Sequence, residues 1–375
     1  MPPRWNENRL TAKLEIDYPL IQGPLGGLSS QKLTAAVSNF GGLGSFGAHG
    51  LSPEAIKEMI AEIRSLTSKP FAMNLWISME DEGARTSDVN AFIRSLAPLA
   101  AHLAAVGAPR PEYKPYSSMR FEDQARVLLD EEVPVFSFIY GIPPQEILDE
   151  CRAKHIVTIG TATTPEEGAA LQEAGVDAIV ASGFEAGGHR GSFLRAAGDS
   201  LTGTFSLVPQ IVDKVDVPVI AAGGIADTRG VVAALALGAE AVQMGTAFLA
   251  CEESGASLLH RQALREKKAG HTALTKGFTG RLARGIHNRL LEELNREGTA
   301  ILPYPLQRKL IRNLAIPAEA AGRSDLLPLW AGQSANLLAC TDVTAFLTSL
   351  VEDASEIAAP IIQWRAARRE KQILK

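Results

Sequence analysis

The run Val217-Pro218-Val219-Ile220-Ala221-Ala222-Gly223-Gly224-Ile225, the helical pattern from Thr228 to Leu237, and then Gly238-Ala239-Glu240-Ala241-Val242-Gln243-Met244-Gly245-Thr246 decide the fold. Both flanking runs are apolar throughout instead of alternating. Each therefore reads as a strand buried on both faces, as parallel strands under helices are. Gly238 stops the helix between them, and strand, helix, glycine, strand is the grammar of a βαβ unit. Working outward, the same unit recurs. Pro19 to Pro24, Leu43 to Gly47, Pro70 to Ile77, Val135 to Gly141, His155 to Ala162 and Ala178 to Glu185 are also short apolar runs bounded by turn residues, and Ala241 to Phe248 completes the set. Eight such strands, with no G-x-G-x-x-G after the first, predict an α/β fold of the TIM (β/α)₈ barrel type instead of a doubly wound open sheet.

Amphipathic helices fall between the strands. One spans Pro53 to Ile63 behind Ser52 as N-cap, another Thr164 to Glu173 with Gly175 as its stop. Extra chain follows strand three, at Ser78 to Ser118, and strand six, at Arg190 to Gly203. Loops after barrel strands lie on the catalytic face, so both insertions are expected to wall a pocket. A third excess, from about Cys251 to Gln333, reads as helical, with patterns at Gly285 to Glu297 and Leu306 to Leu314, no strand between them, and Pro303-Tyr304-Pro305 as a rigid extended turn. The expected division is a barrel of residues 1–250 with 336–375, closed by a helix from Thr341 onward. An inserted, mostly helical lid or substrate domain would comprise 251–335 together with 78–118.

Bulk properties narrow the function. With 46% hydrophobic and 21% charged residues the chain is an ordinary globular one. A net charge of −5 without a long basic block argues against nucleic acid. The basic run Arg365, Arg368, Arg369, Lys371, Lys375 reads as the solvated end of a last helix. Cys151, Cys251 and Cys340 are far apart, which argues against a zinc site or a disulfide scaffold and suits a reducing cytoplasm. No leader or membrane-spanning run is apparent. HExxH, GxSxG and Walker patterns are missing, so no metal site is expected and hydrolase or NTPase readings lose their support.

The chemistry is expected at the strand ends. Gly223 and Gly224 close strand seven, and Gly245 and Thr246 close strand eight, so two turns that let backbone N–H groups approach an anion lie side by side at the standard phosphate position of such barrels. Asn74, Ser182 and Gln22 with Gly23 end other strands and could meet the edge of a flat heterocycle. His189, on a glycine-rich turn after strand six, can reach over a cofactor and take a proton near neutral pH. His49 after strand two is the second candidate. His102, His155, His260, His271 and His287 read as structural or surface residues.

These residues resemble the FMN-dependent nitronate monooxygenases, formerly called 2-nitropropane dioxygenases. The resemblance runs through Ala35-Ala36-Val37-Ser38-Asn39-Phe40-Gly41-Gly42-Leu43-Gly44, Phe71-Ala72-Met73-Asn74-Leu75, Gly183-Phe184-Glu185-Ala186-Gly187-Gly188-His189-Arg190-Gly191 and the two strand-end turns. Trp330-Ala331-Gly332-Gln333 is similar to a segment of the bacterial and fungal class I. The resemblance implies non-covalent FMN held by Gly23, Asn74, Ser182, Gly187, Gly188, Gly223, Gly224 and Gln243-Met244-Gly245-Thr246, with His189 facing the substrate. The family commonly carries Gln where Ser182 stands, so a hydroxyl here would reach the cofactor through water. It further implies oxidation of a small-molecule nitronate, such as propionate 3-nitronate, by O₂ to an aldehyde or keto product plus nitrite, in the manner of nitroalkane detoxification, by a monomer or homodimer without nucleic-acid or membrane partners. An NAD(P)H:quinone or enoyl-thioester reductase on the same barrel is the nearest alternative, and a non-catalytic FMN-binding protein the next.

Overall fold

The computed structural model describes residues 5–114 and 119–357. The basic C-terminal run from Arg365 and the last residues of the first insertion lie outside the described residues.

Eight parallel strands form one sheet: β1 (Leu20–Gln22), β2 (Gly44–Gly47), β3 (Phe71–Trp76), β4 (Val135–Ile139), β5 (Val157–Ala162), β6 (Ala178–Ser182), β7 (Val219–Ala222) and β8 (Ala241–Met244). Each pairs with its neighbour in sequence, and β1 pairs with β8 through Leu20↔Val242 and Gln22↔Met244. A parallel bridge between Ile21 and Leu43 joins β1 to β2, so the sheet closes on itself. This seam is short, and Gln22 strengthens it. Its buried amide donates to the Ser45 carbonyl at 2.7 Å and accepts from the Ser45 N–H at 3.3 Å. Gln22 is thus a clamp on the barrel and does not line the cavity described below, which corrects its place among the candidates.

A helix follows every strand. Their starts obey local chemistry: Ser30, Ser52, Thr164 and Asp227 accept from backbone N–H groups of the first turn, and Pro53 and Pro165 occupy positions whose N–H is not needed. The helix after β3 (Phe121–Asp130) comes only after the first insertion, and the one after β8, residues 343–357, only after the long excursion. Inside the barrel, Leu43, Val135, Ile159, Val180 and Ile220 pack with Leu10, Leu14 and Ile16 from an N-terminal helix (Arg9–Leu14). Asn8 caps that helix and bonds the Glu240 carbonyl at 2.8 Å, and Lys13 pairs with Asp177 at 2.5 Å. Asp177 and Glu240 immediately precede β6 and β8. The helix therefore plugs the N-terminal end of the barrel and leaves only the opposite end for a ligand. Among the described residues, no helix is long and apolar enough to cross a membrane.

The excursion after β8 is not purely helical. Besides helices at Leu258–Arg265, Arg289–Leu294 and Leu306–Ala320, it contains a hairpin of Thr272–Thr275 and Ala283–Ile286. Ala283–Ile286 also pairs antiparallel with Gly188–His189 through Ala283↔His189 and Arg284↔Gly188. The expectation of an excursion without strands is corrected here. Four-residue strands without alternation carry too little pattern to read, and Gly285 lies in a strand while the helix starts only after its cap, Asn288. Leu96, Leu99 and Leu103 of the first insertion share one apolar cluster with Leu290, Leu294, Leu310 and Leu314 of the excursion. His102 bonds Glu293 across the same contact.

Candidate active site

A cavity of about 800 Å³ opens at the C-terminal ends of the barrel strands. The barrel supplies its floor and the excursion its roof. Gly23, Asn74, Ser182, Gly187, Gly188, His189, Gly223, Gly224, Gln243, Gly245 and Thr246 all line it. Met244 does not, because the pleat turns its side chain into the core between sheet and helices. Asn74 donates to Ser137 Oγ at 2.9 Å, so the ends of β3 and β4 are tied together.

The turns after β7 and β8 form its most polar wall. Gly223 and Gly224 have φ of 110° and 71°, the left-handed region open to glycine. A Cβ on Gly223 would stand 2.8 Å from Thr204 Oγ1. The backbone N–H groups of Gly223, Gly224, Gly245 and Thr246 donate to no other group among the described residues. Left unpaired in a wall otherwise made of protein, such donors call for an anionic or polar ligand. The segment 330–334 straps this wall from above: Gly332 N–H donates to Thr246 Oγ1 at 2.9 Å, Gln333 N–H to the Glu185 carbonyl at 3.0 Å, and Ser334 Oγ to the Gly224 carbonyl at 2.6 Å.

The segment carrying His189 is held from beneath by Arg190. This side chain is fully buried, and it donates to the carbonyls of Gly183 at 2.6 Å and Ser182 at 2.9 Å. Burial pulls its pKa down to about 10, still far above neutrality. His189 is thus set by strand pairing on one side and a buried guanidinium on the other, where the sequence suggested a free turn.

The imidazole of His189 faces an aromatic and cationic roof. Its Nε2 lies 2.8 Å from Thr279 Oγ1. Trp76 meets the ring edge-on at 4.8 Å, and Trp330 lies tilted against it at 5.3 Å. Burial, then Arg308 and Arg281, pull the pKa down to about 3, so the ring is neutral at physiological pH. His49 stacks on Trp76 at 3.8 Å and contacts Arg308 at 3.4 Å. Its pKa also falls well below the ordinary histidine value, first through burial and then through Arg308. Arg281 pairs with Asp81 at 2.6 Å and lies over Tyr140 and Tyr304, whereas Arg308 meets only His49 and the Tyr304 hydroxyl among the described residues. His260 bonds the Trp330 carbonyl at 2.9 Å from behind.

Sequence reading missed Trp76, Thr279, Tyr304 and Arg308. Trp76 ends β3, Thr279 lies in the turn of the hairpin, and Tyr304 and Arg308 sit four residues apart around the start of the helix Leu306–Ala320, so three separate segments bring them together and no local pattern marks them.

Fold and cavity define a barrel enzyme working at its C-terminal rim. The sequence profile of the nitronate monooxygenase family matches residues 7–353. The probable nitronate monooxygenase of Staphylococcus aureus strain Newman is 40% identical over 356 residues, which is 94% of this chain and 99% of that one. The crystal structure of nitroalkane oxidase from Streptomyces ansochromogenes superposes with a TM-score of 0.84 at 35% identity, covering 93% of this chain and 98% of that one. FabK from Thermotoga maritima gives a TM-score of 0.73 at 28% identity, covering 96% and 99%. The chain belongs to the nitronate monooxygenase family and is an oxidoreductase that uses a flavin.

Proposed function

We propose that the protein oxidises alkyl nitronates, propionate 3-nitronate among them, with O₂ to an aldehyde or keto product and nitrite, and that its flavin is FMN. The observation that carries this reading is the set of unpaired N–H groups at Gly223, Gly224, Gly245 and Thr246 in one cavity with the imidazole of His189 and the guanidinium of Arg308. Those amides would hold the phosphate. Gly23, Asn74, Ser182, Gly187, Gly188 and Gln243 would border the rest of the cofactor, whereas Met244, which does not line the cavity, would not. The Gln243 amide has no partner among the described residues, which leaves it available. FMN bound there supplies the one-electron chemistry that a nitronate and O₂ require.

This chain's own residues do the rest. Arg308, with Arg281, gives the cavity a positive potential that attracts an already anionic substrate. His189, neutral and weakly basic, suits an anion better than a carbon acid: it orients the nitronate and serves as base only toward neutral nitroalkanes. Among the described residues, 251–335 with 78–114 act as the lid that excludes water, over a barrel of 5–250 with 336–357. The free cysteines suit a reducing cytoplasm.

The test is anaerobic titration of the purified yellow protein with a nitronate, followed by nitrite assay in air. Flavin reduction and nitrite release are expected. A colourless protein that refuses FMN, or absence of both signals, overturns the reading. The likeness to FabK favours a reductase as the second reading, and rapid anaerobic bleaching by NADH would support it. His189→Asn is expected to lose activity on neutral nitroalkanes at least about 100-fold, and on nitronates far less; equal losses contradict the division of roles.

A further inference from the structure

Thr279 lies in the turn between the two lid strands, 90 residues from His189 in sequence, yet its hydroxyl is 2.8 Å from His189 Nε2. Thr279 is buried, and the pairing of Ala283 with His189 fixes the two segments relative to one another. The backbone N–H of Arg281 donates to the same Oγ1 at 3.3 Å and takes one lone pair. The Arg281 carbonyl, at 3.4 Å, is a much longer acceptor for the hydroxyl than Nε2 at 2.8 Å. One hydrogen and one lone pair remain, and Nε2 is the partner in reach of both. A hydroxyl can donate or accept, so it can satisfy Nε2 with or without a proton. Nδ1 has no partner among the described residues, and the ring lines the cavity.

We propose that Thr279 is the positioning residue that lets His189 present either form of Nδ1 to the cavity: bare, with Nε2–H donating to Oγ1, or protonated, with the Thr279 O–H donating to Nε2. The names of the two substrates below rest on the nitronate reading; the hydrogen bond does not. Toward a neutral nitroalkane, the Cα–H proton passes to bare Nδ1, the C–H electron pair stays in the nitronate formed, and Oγ1 holds Nε2–H of the resulting imidazolium. Toward a nitronate no proton moves, and Nδ1–H donates to an anionic oxygen. The titratable groups facing the ring are Arg281 and Tyr304 of the lid, Arg308 of the lid helix and His49 after β2. Both arginines oppose the imidazolium, which makes an acceptor at Nε2 the more necessary.

Thr279→Val removes the hydroxyl at nearly constant volume, and Thr279→Ser keeps it. Nitrogen-15 spectra of the histidine rings read the contact without any substrate: wild type and Thr279→Ser should agree at His189, and Thr279→Val should differ. Kinetically, Thr279→Val should lower kcat on nitroethane about 10-fold or more relative to kcat on ethylnitronate, and shift the pH profile for nitroethane alone, since a mis-set tautomer disables a histidine base. Thr279→Ser should restore both. Unchanged ring signals in Thr279→Val, equal losses on the two substrates, or failure of serine to rescue would each overturn the proposal. If wild type oxidises neither compound while the ring signals respond as expected, the nitronate reading fails and the positioning role stands.

Discussion

At His189 desolvation and two guanidinium groups act in the same direction, with the rings of Trp76 and Trp330 against the imidazole. The ring is therefore neutral over the range in which an ordinary histidine titrates. Profiles of kcat/KM for a nitronate should show no inflection near pH 6.5 in wild type; an inflection there that His189→Asn abolishes would show that the ring does titrate. Arg190 makes the opposite case. It is a cation kept charged in the interior because carbonyl oxygens surround it. Arg190→Met leaves those carbonyls without a donor, and urea unfolding should register a loss of about 3 kcal/mol. A loss under about 0.5 kcal/mol would mean the clamp is dispensable. His189 was legible beforehand as the candidate base, but the role of Arg190 was not: the two stand side by side in the sequence, and only burial and carbonyl partners mark the second as a clamp.

Among the elements, the strap at 330–334 and the barrel seam carry separate duties. A Cβ on Gly187 would come within 2.5 Å of the Gly332 nitrogen. Gly187→Ala must therefore lift the strap from the turns after β7 and β8, and flavin affinity should fall at least about tenfold, or roughly 1.4 kcal/mol. Fluorescence titration of the apoprotein measures it, and wild-type affinity would show that the strap does not shape the site. Gln22→Leu loses both bonds to Ser45 across the seam. It should cost about 2 kcal/mol in stability and leave flavin content unaltered, because the side chain does not face the cavity. Loss of flavin without loss of stability would restore Gln22 to the binding site. Sequence placed the eight strands within a few residues because short apolar runs bounded by turn residues, repeated at βα spacing, are strong signals. The strands Gly188–His189 and Thr272–Thr275 were invisible because their length is below any period, and the partner of the first lies about a hundred residues away.

For the whole molecule, three histidines held below their ordinary pKa set an acid limit. His49, His189 and His260 all have lowered pKa values in the native state, the last two to about 3 and about 4, each chiefly through burial. Unfolding releases them to about 6.5. Below that value the unfolded chain binds protons that the native state refuses, so stability rises with pH across this window and is lost as pH falls from about 6.5 towards 4. The urea midpoint should therefore drop clearly between pH 7 and pH 5. His260→Gln should flatten part of the drop. A midpoint constant over that interval would show that these rings are accessible to protons in the native state.

By itself the amino-acid order determined the repeat of strand and helix, the paired glycines at the ends of β7 and β8, and the presence of a histidine beside them. These are local properties, expressed within one βα unit. Tertiary structure decided the rest of the site: His49 and Trp76 come from the barrel, Thr279, Tyr304 and Arg308 from the excursion after β8, and the distances between the two groups depend on how that excursion is docked. The same docking removes water from His189 and surrounds it with positive charge, and an electrostatic environment of that kind belongs to the assembled cavity instead of to any stretch of chain.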